Sequence, residues 1–516
     1  MFVFSGALFF LIFGREALAN GLDISNVSLQ QRDPSSGTVV VQFDLSWQNS
    51  WRTKINHDAV WLTVRLRKAS DTEKKLCSLT ASGIDPAGTS VGTDSNLEIY
   101  VPADKKGAFV RPSVYGTYST VSSTGIQLTV DYGSCGLSST DDVEAMVFAL
   151  EMVYVPQGAF YAGDYNGSVA SFQEGSADSD PWYISGEEAI NVSNSVTDGY
   201  RYVSAGNSGE DGTGASFTVP AGFPKGYAAF YVMKYEITEG QWVDFVNSLS
   251  AAARVNRDLT DANHKNSDLV LARNTISCSG TPLVCGTSRP ARAVSYLSWM
   301  DLAAFLDWAA LRPMTELEFE KVARGPLLSL SGEFAWGSSS ITAAAAISGS
   351  VEDGSETVTT MGANAHYNNT ILTGGDAGNG AQYAIGPLRV GIFAAGASDR
   401  ESAGAGYYGV MELSGNVWER VVTVGNATGR LFDGEHGDGV LSSAGGYEGN
   451  ADVASWPGMD ATASRGVTGA AGSGFRGGSW SDSIVGRLSV SDRNDAANTD
   501  ASAYNNAGGR GVRTYE

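Results

Sequence analysis

The sequence predicts an α+β protein: an N-terminal, all-β immunoglobulin-like sandwich, then a longer, loop-rich unit with few helices. Three observations carry this. Before residue 147, apolar residues alternate with polar ones in several stretches. After residue 230, cap signatures precede three apolar stripes at i, i+3, i+4 spacing. Glycine makes up 63 of 516 residues, about 12% against the usual ~7%, which favours loops over long regular elements.

The overall balance excludes several classes. Hydrophobic residues are 42%, too many for a disordered chain. Lysine plus arginine number 34 against 56 acids, a net charge of −22. A nucleic-acid binder needs a basic face, so that partner is not expected.

Residues 1–19 read as an export signal. Phe2 to Phe13 is apolar except at Ser5 and Gly6, and Ala17-Leu18-Ala19 is an A-x-A cleavage site. The run is too short to span a bilayer, and no later segment reaches 18 apolar residues. A secreted or cell-surface chain starting near Asn20 is expected.

Residues 20–147 form the expected sandwich. Val39, Val41, Phe43, Leu45 and Trp47 alternate, as do Val60, Leu62, Val64 and Leu66, and Ile126, Leu128, Val130 and Tyr132. Short polar turns between such runs suit a two-sheet architecture. The four cysteines of an exported chain suggest disulfides, with three possible connectivities. Sequence locality favours Cys77–Cys135 and Cys278–Cys285. No spacing suits haem attachment or a zinc ribbon.

The second unit, 148–516, opens at Met152-Val153-Tyr154-Val155. The Gly/Ser/Asp/Asn-rich stretch at about 163–228 reads as long surface loops. Helices are predicted after Thr238 with Gln241, Ser298 with Asp301, and Thr315 with Glu318. Beyond Gly325 the chain returns to loops and short strands.

Six motifs then occur in a recognisable order. They are Val155-Pro156-Gln157-Gly158-Ala159-Phe160; Tyr235-Glu236-Ile237-Thr238; Val294-Ser295 with the run from Arg312 to Glu320; Gly415-Asn416-Val417-Trp418-Glu419; Arg476-Gly477-Gly478-Ser479-Trp480; and Gly511-Val512-Arg513. Together they resemble the formylglycine-generating enzyme, or sulfatase-modifying factor, domain family. The resemblance implies a C-type-lectin-like fold. It also implies a copper-dependent oxidase, which needs two cysteines just after the R-G-G-S segment, because a thiolate pair is the soft ligand set for Cu(I). Here Ser481 to Leu488 contains no cysteine, and the last one in the chain is Cys285. A non-catalytic member without copper is therefore expected. A related iron-dependent branch needs converging histidines, whereas His57, His264, His366 and His436 are scattered singly.

The resemblance also implies a calcium loop. Its ligands would be the side chains of Glu412 and Glu419 and the carbonyls of Gly415 and Val417. Arg476, Arg487, Arg493 and Arg513 read as scaffold that pins carboxylates or carbonyls, and Trp418 and Trp480 as core.

Residues 481–510 contain no Lys, Glu, Gln, Met or Trp. The segment resembles the variable region of exported proteins from diversity-generating retroelements, where adenine mutagenesis of Asn codons cannot reach those five types. Its Ser, Asn, Asp, Gly and Tyr also suit a paratope; the alternative is an ordinary loop that closes the fold. As a recognition surface, its expected contacts are Asp482, Asp492, Asn494, Asn498 and Tyr504, with Leu488 and Val490 packing inward on one strand face. The expected function is an exported, non-enzymatic binder of an extracellular glycan or protein, self-association included. A structural subunit of a surface layer or fibre is the alternative, and a secreted oxidase the second alternative.

Overall fold

The computed structural model describes residues 21–165, 168–174, 180–192, 199–202 and 216–516. The expected export signal, 1–19, lies outside them. The protein is α+β and sheet-rich.

Two sheets organise the N-terminal part. One has the strand order Thr89–Ser90, Gly116–Asp131, Thr38–Arg52, Asp23–Asp33, with the last strand at its edge. The other runs, neighbour to neighbour, through Gly83–Ile84, Leu97–Val101, Ala108–Pro112, Asp58–Lys68, Val143–Val155, Phe230–Met233, Gly511–Thr514 and Arg312–Pro313, all antiparallel. The alternating residues of Thr38–Arg52 meet those of Asp58–Lys68 in a shared core: Val41, Phe43 and Trp47 against Val60, Leu62 and Val64. The disulfide Cys77–Cys135 closes one end of that core.

The second sheet crosses the boundary expected at 147/148. Residue 147 lies inside the strand Val143–Val155. That strand pairs with Asp58–Lys68 from Val143 to Val153, and its last four residues, Met152 to Val155, pair with Phe230–Met233. The two units are thus welded by one continuous ladder. This also explains why Asp58–Lys68 is buried on both faces up to Leu66. Trp61 Nε1 donates to the Ala309 carbonyl at 2.9 Å, and the Arg65 guanidinium stacks 4.2 Å from the Trp308 ring centroid.

The expected helices form, each with a reciprocal capping box: α1 (Glu239–Ser248), α3 (Trp299–Trp308) and α4 (Glu316–Arg324). A short α2 (Ala251–Asn256), capped by Ser250, follows α1. Cys278 and Cys285 pair across a small hairpin. None of the described helices is long and apolar enough to cross a membrane.

The segment 163–228 departs from the expected surface loops. Its described parts form short strands at Phe172–Glu174, Trp182–Ile184, Ile190–Val192 and Phe217–Val219. Phe172, Trp182, Ile184 and Val219 are buried in the main core. Each strand is only three residues long, so its apolar pair is lost in a background of Gly, Ser and Asp.

Candidate functional site

The family motifs converge from distant parts of the chain. The strand Trp418–Val422 pairs with Ser473–Arg476, with Glu419 opposite Arg476. The chain then turns at Gly477 (φ 86°), where a Cβ would lie 2.7 Å from the Leu413 carbonyl oxygen; only glycine fits there. The Gly415 amide donates to the Gly477 carbonyl at 2.8 Å, and the Trp480 amide to the Asn416 carbonyl at 2.7 Å. Trp418 and Trp480 are core residues, 9% and 4% exposed.

Behind this junction lies a buried carboxylate group that sequence reasoning found only in part. Glu236 accepts from the Asn416 side-chain amide at 2.5 Å and from the Val417 amide at 3.0 Å. Glu419 accepts from Arg510 Nε at 2.6 Å, and its carboxylate lies 2.5 Å from the Arg510 Nη2 as an ion pair. Glu412, at φ 55°, accepts from the Gly391 amide at 2.7 Å. Arg510 is fully buried, and its Nη2 also donates to the Met411 carbonyl at 2.8 Å. The second oxygens of Glu412 and Glu419 are buried without a hydrogen-bond partner among the described residues.

Three carboxylates out of water beside one contacting guanidinium are electrostatically unbalanced. Burial pushes Glu412 up to about 7 against the pull of Arg510. Burial, then the proximity of Glu419 and Glu412, holds Glu236 well above the carboxylate range. Such a group needs protons or a further cation. Glu236 and Arg510 were missed because neither belongs to the 412–419 loop. The signal for Glu236 was an acid flanked by Tyr235 and Ile237 just before a cap. Asp258, Cys278 and Cys285 also lie close together, but both sulfurs are tied in a disulfide.

The R-G-G-S-W segment is scaffold. Arg476 is fully buried and pairs with Glu316 at 2.8 Å and Glu320 at 2.5 Å. Arg493 joins Glu316 at 2.7 Å. Arg513 pairs with Asp104, and Arg487 reaches Asp495 at 3.1 Å. All four arginines pin carboxylates, as expected.

At the end of the R-G-G-S segment, just before the stretch Ser481 to Leu488, Ser479 Oγ donates to Asp482 at 2.6 Å. The Asn506 amide group donates to Ser481 Oγ at 2.7 Å and Ser479 Oγ at 3.1 Å.

The segment 481–510 corrects the expectation of a uniformly exposed polar face. Asp492 and Asn494 are buried, at 4% and 8% exposure. Asp492 accepts from the Asn494 amide at 3.1 Å, and Asn494 Nδ2 donates to Asp495 at 2.9 Å. Burial pushes the Asp492 carboxyl up to about 6. Short polar side chains here satisfy turn backbone, so polarity does not report exposure. Asp482 and Asn498 are half-buried, and Asn498 also holds the turn by accepting from the Asp500 amide at 3.1 Å. Ser502, Tyr504 and Asn505 are exposed, and Tyr504 donates to Asp500. Leu488 and Val490 are buried as expected, but Leu488 ends a 3₁₀ turn (Val485–Leu488) rather than a strand.

Comparison with known proteins gives one assignment. Residues 147–515 match the family model of the sulfatase-modifying factor enzyme 1-like domain. No curated protein matches the chain. The matched residues contain every motif described above from Gly415 onward, as well as Glu236 and the helices α1, α3 and α4. The chain belongs to the sulfatase-modifying factor enzyme 1-like domain family.

Proposed function

We propose that this is an exported, non-enzymatic member of the family: an immunoglobulin-like sandwich carrying a C-type-lectin-like domain that binds an extracellular glycan or protein. The observation that carries the reading is the stretch after Arg476-Gly477-Gly478. Where the resemblance puts thiols, in Ser481 to Leu488, there is no cysteine; the Ser481 hydroxyl stands there and accepts from the Asn506 side-chain amide. All four cysteines lie elsewhere, in disulfides. The recognition surface on this reading is the exposed part of 481–510, including Ser502, Tyr504 and Asn505, together with the half-buried Asp482 and Asn498. Buried ion pairs on Arg476 and Arg493 make the support rigid, which limits the ordering cost of binding. Calcium at Glu412 and Glu419, with the Gly415 and Val417 carbonyls, belongs to the same reading and would be structural.

The test is a Ser502→Ala, Tyr504→Ala, Asn505→Ala variant, probed on a glycan array and by sedimentation velocity. Exposed positions cost within about 0.5 kcal/mol each, so the melting temperature should hold while binding or self-association is lost. A variant that melts well below the wild type, or binds as it does, refutes the reading. A structural-subunit reading has one observation in its favour. The eleven-residue strand Asp23–Asp33 is the edge of its sheet, and open edges accept a strand from another chain.

A further inference from the structure

A cleft of about 890 Å³ opens where the sandwich meets the family domain, within the ~300–1,000 Å³ range of small-ligand sites. It shares no lining residue with the 481–510 surface. One wall is the end of the strand Thr38–Arg52, with Trp51, and the turn that leads to Asp58–Lys68, with Asn56. The other is formed by Lys234-Tyr235, the loop around Arg389 to Ala395, and Tyr407 to Met411.

We propose that this cleft binds a neutral oligosaccharide, stacked on Trp51 and hydrogen-bonded by the tyrosine hydroxyls opposite.

Four aromatic side chains line it: Trp51, Tyr235, Tyr407 and Tyr408. Trp51 is held by both units. The Lys234 ammonium lies 5.0 Å from its ring centroid, and its indole nitrogen donates to Asn56 at 3.4 Å. Gly409 (φ 90°) packs so close that an added Cβ would sit 3.2 Å from the ring. Asn56 in turn donates to the Tyr408 carbonyl at 2.8 Å. A half-buried indole fixed in this way is a preorganised platform for the C–H face of a sugar ring.

The polar complement points to hydroxyl partners. Tyr408 is 4% exposed, and its hydroxyl forms no hydrogen bond among the described residues; that of Tyr407 forms none either. A phenol both donates and accepts, as a sugar hydroxyl does.

The charges point to a neutral ligand. Lys234 is already neutralised by Glu151 at 3.2 Å and Asp58 at 4.0 Å. Arg389 is paired with Glu356 at 3.0 Å. Asp353 adds an exposed acid to the rim. A sulfated or carboxylated glycan would find its cations taken and would approach a chain of net charge −22.

The experiment titrates the full chain with maltohexaose, cellohexaose and chitohexaose, read by intrinsic tryptophan fluorescence and calorimetry. At least one should bind. Trp51→Ala should then weaken binding about tenfold or more, as loss of a stacking anchor does. Tyr408→Phe removes only the hydroxyl and should weaken binding about fivefold, with an unchanged melting temperature. If Trp51→Ala fails to fold, Tyr408→Phe decides. The proposal is overturned if none of the three binds by about 10 mM, if Tyr408→Phe binds as the wild type, or if a heparin hexasaccharide binds more tightly than all three. The Ser502→Ala, Tyr504→Ala, Asn505→Ala variant should retain this binding, so the two proposed surfaces fail separately.

Discussion

His264 should make stability fall as pH rises above neutrality. Its Nδ1 lies 2.7 Å from Asp261 and its Nε2 2.8 Å from Asp301. Asp301 is 1% exposed, caps α3 and also holds Arg257 at 2.7 Å. Burial alone would lower the imidazole pKa, but the two carboxylates outweigh it and push it up to about 9. Relative to the ordinary ~6.5, that rise is worth about 3 kcal/mol. The depressed pKa of Asp301 is the other side of the same contact and adds nothing further. Because the folded pKa is raised, the contribution is complete below pH 6.5 and is lost as pH climbs through about 9. Urea unfolding of the wild type and His264→Gln at pH steps from 6 to 10 checks this. The gap between them should be about 3 kcal/mol at pH 6 and should close above about pH 9. A gap that stays constant or widens would show that the imidazole is not charged in the fold, and the reasoning would fail.

Two other outcomes follow from the buried glutamates and the disulfides. Treatment with EGTA should lower the melting temperature, calcium should restore it, and Glu419→Gln should remove the response; a wild type indifferent to chelator would rule out structural calcium. Replacing Cys77 and Cys135 by serine should cost about 4 kcal/mol, because their sequence separation is 58, against about 2 kcal/mol for the Cys278–Cys285 pair separated by 7. The reverse order in urea unfolding would refute the chain-entropy argument.

What could be read from the sequence was local. The alternation through Val39–Trp47 names a strand because side-chain direction has period two. Thr315 with Glu318 names a helix start because both partners of the capping box lie within four residues. The disulfides followed from proximity along the chain. The buried face of Asp58–Lys68 could not be read this way, because Trp61 and Arg65 are covered by residues more than 240 positions later. The same holds for the carboxylate group: Glu236, Glu412, Glu419 and Arg510 meet only after three distant segments fold together. Asp492 and Asn494 misled for a different reason. Their side chains close turns, and composition does not distinguish a residue that binds water from one that binds its own backbone. Family resemblance supplied what periodicity could not, namely that Gly415–Glu419 and Arg476–Trp480 belong to one domain.

The strand Val143–Val155 has a mechanical consequence. Chains with two units usually hinge at a linker, and a ligand between them is gripped by closure. Here a single stretch of backbone serves as the spine of both, laddered to Asp58–Lys68 on one side and to Phe230–Met233 on the other. Among the described residues, no linker interrupts that strand between the two ladders. Traction applied at the N-terminal edge strand would load this ladder instead of stretching a tether, so the whole molecule would behave as a single stiff strut between whatever it attaches to at its two ends.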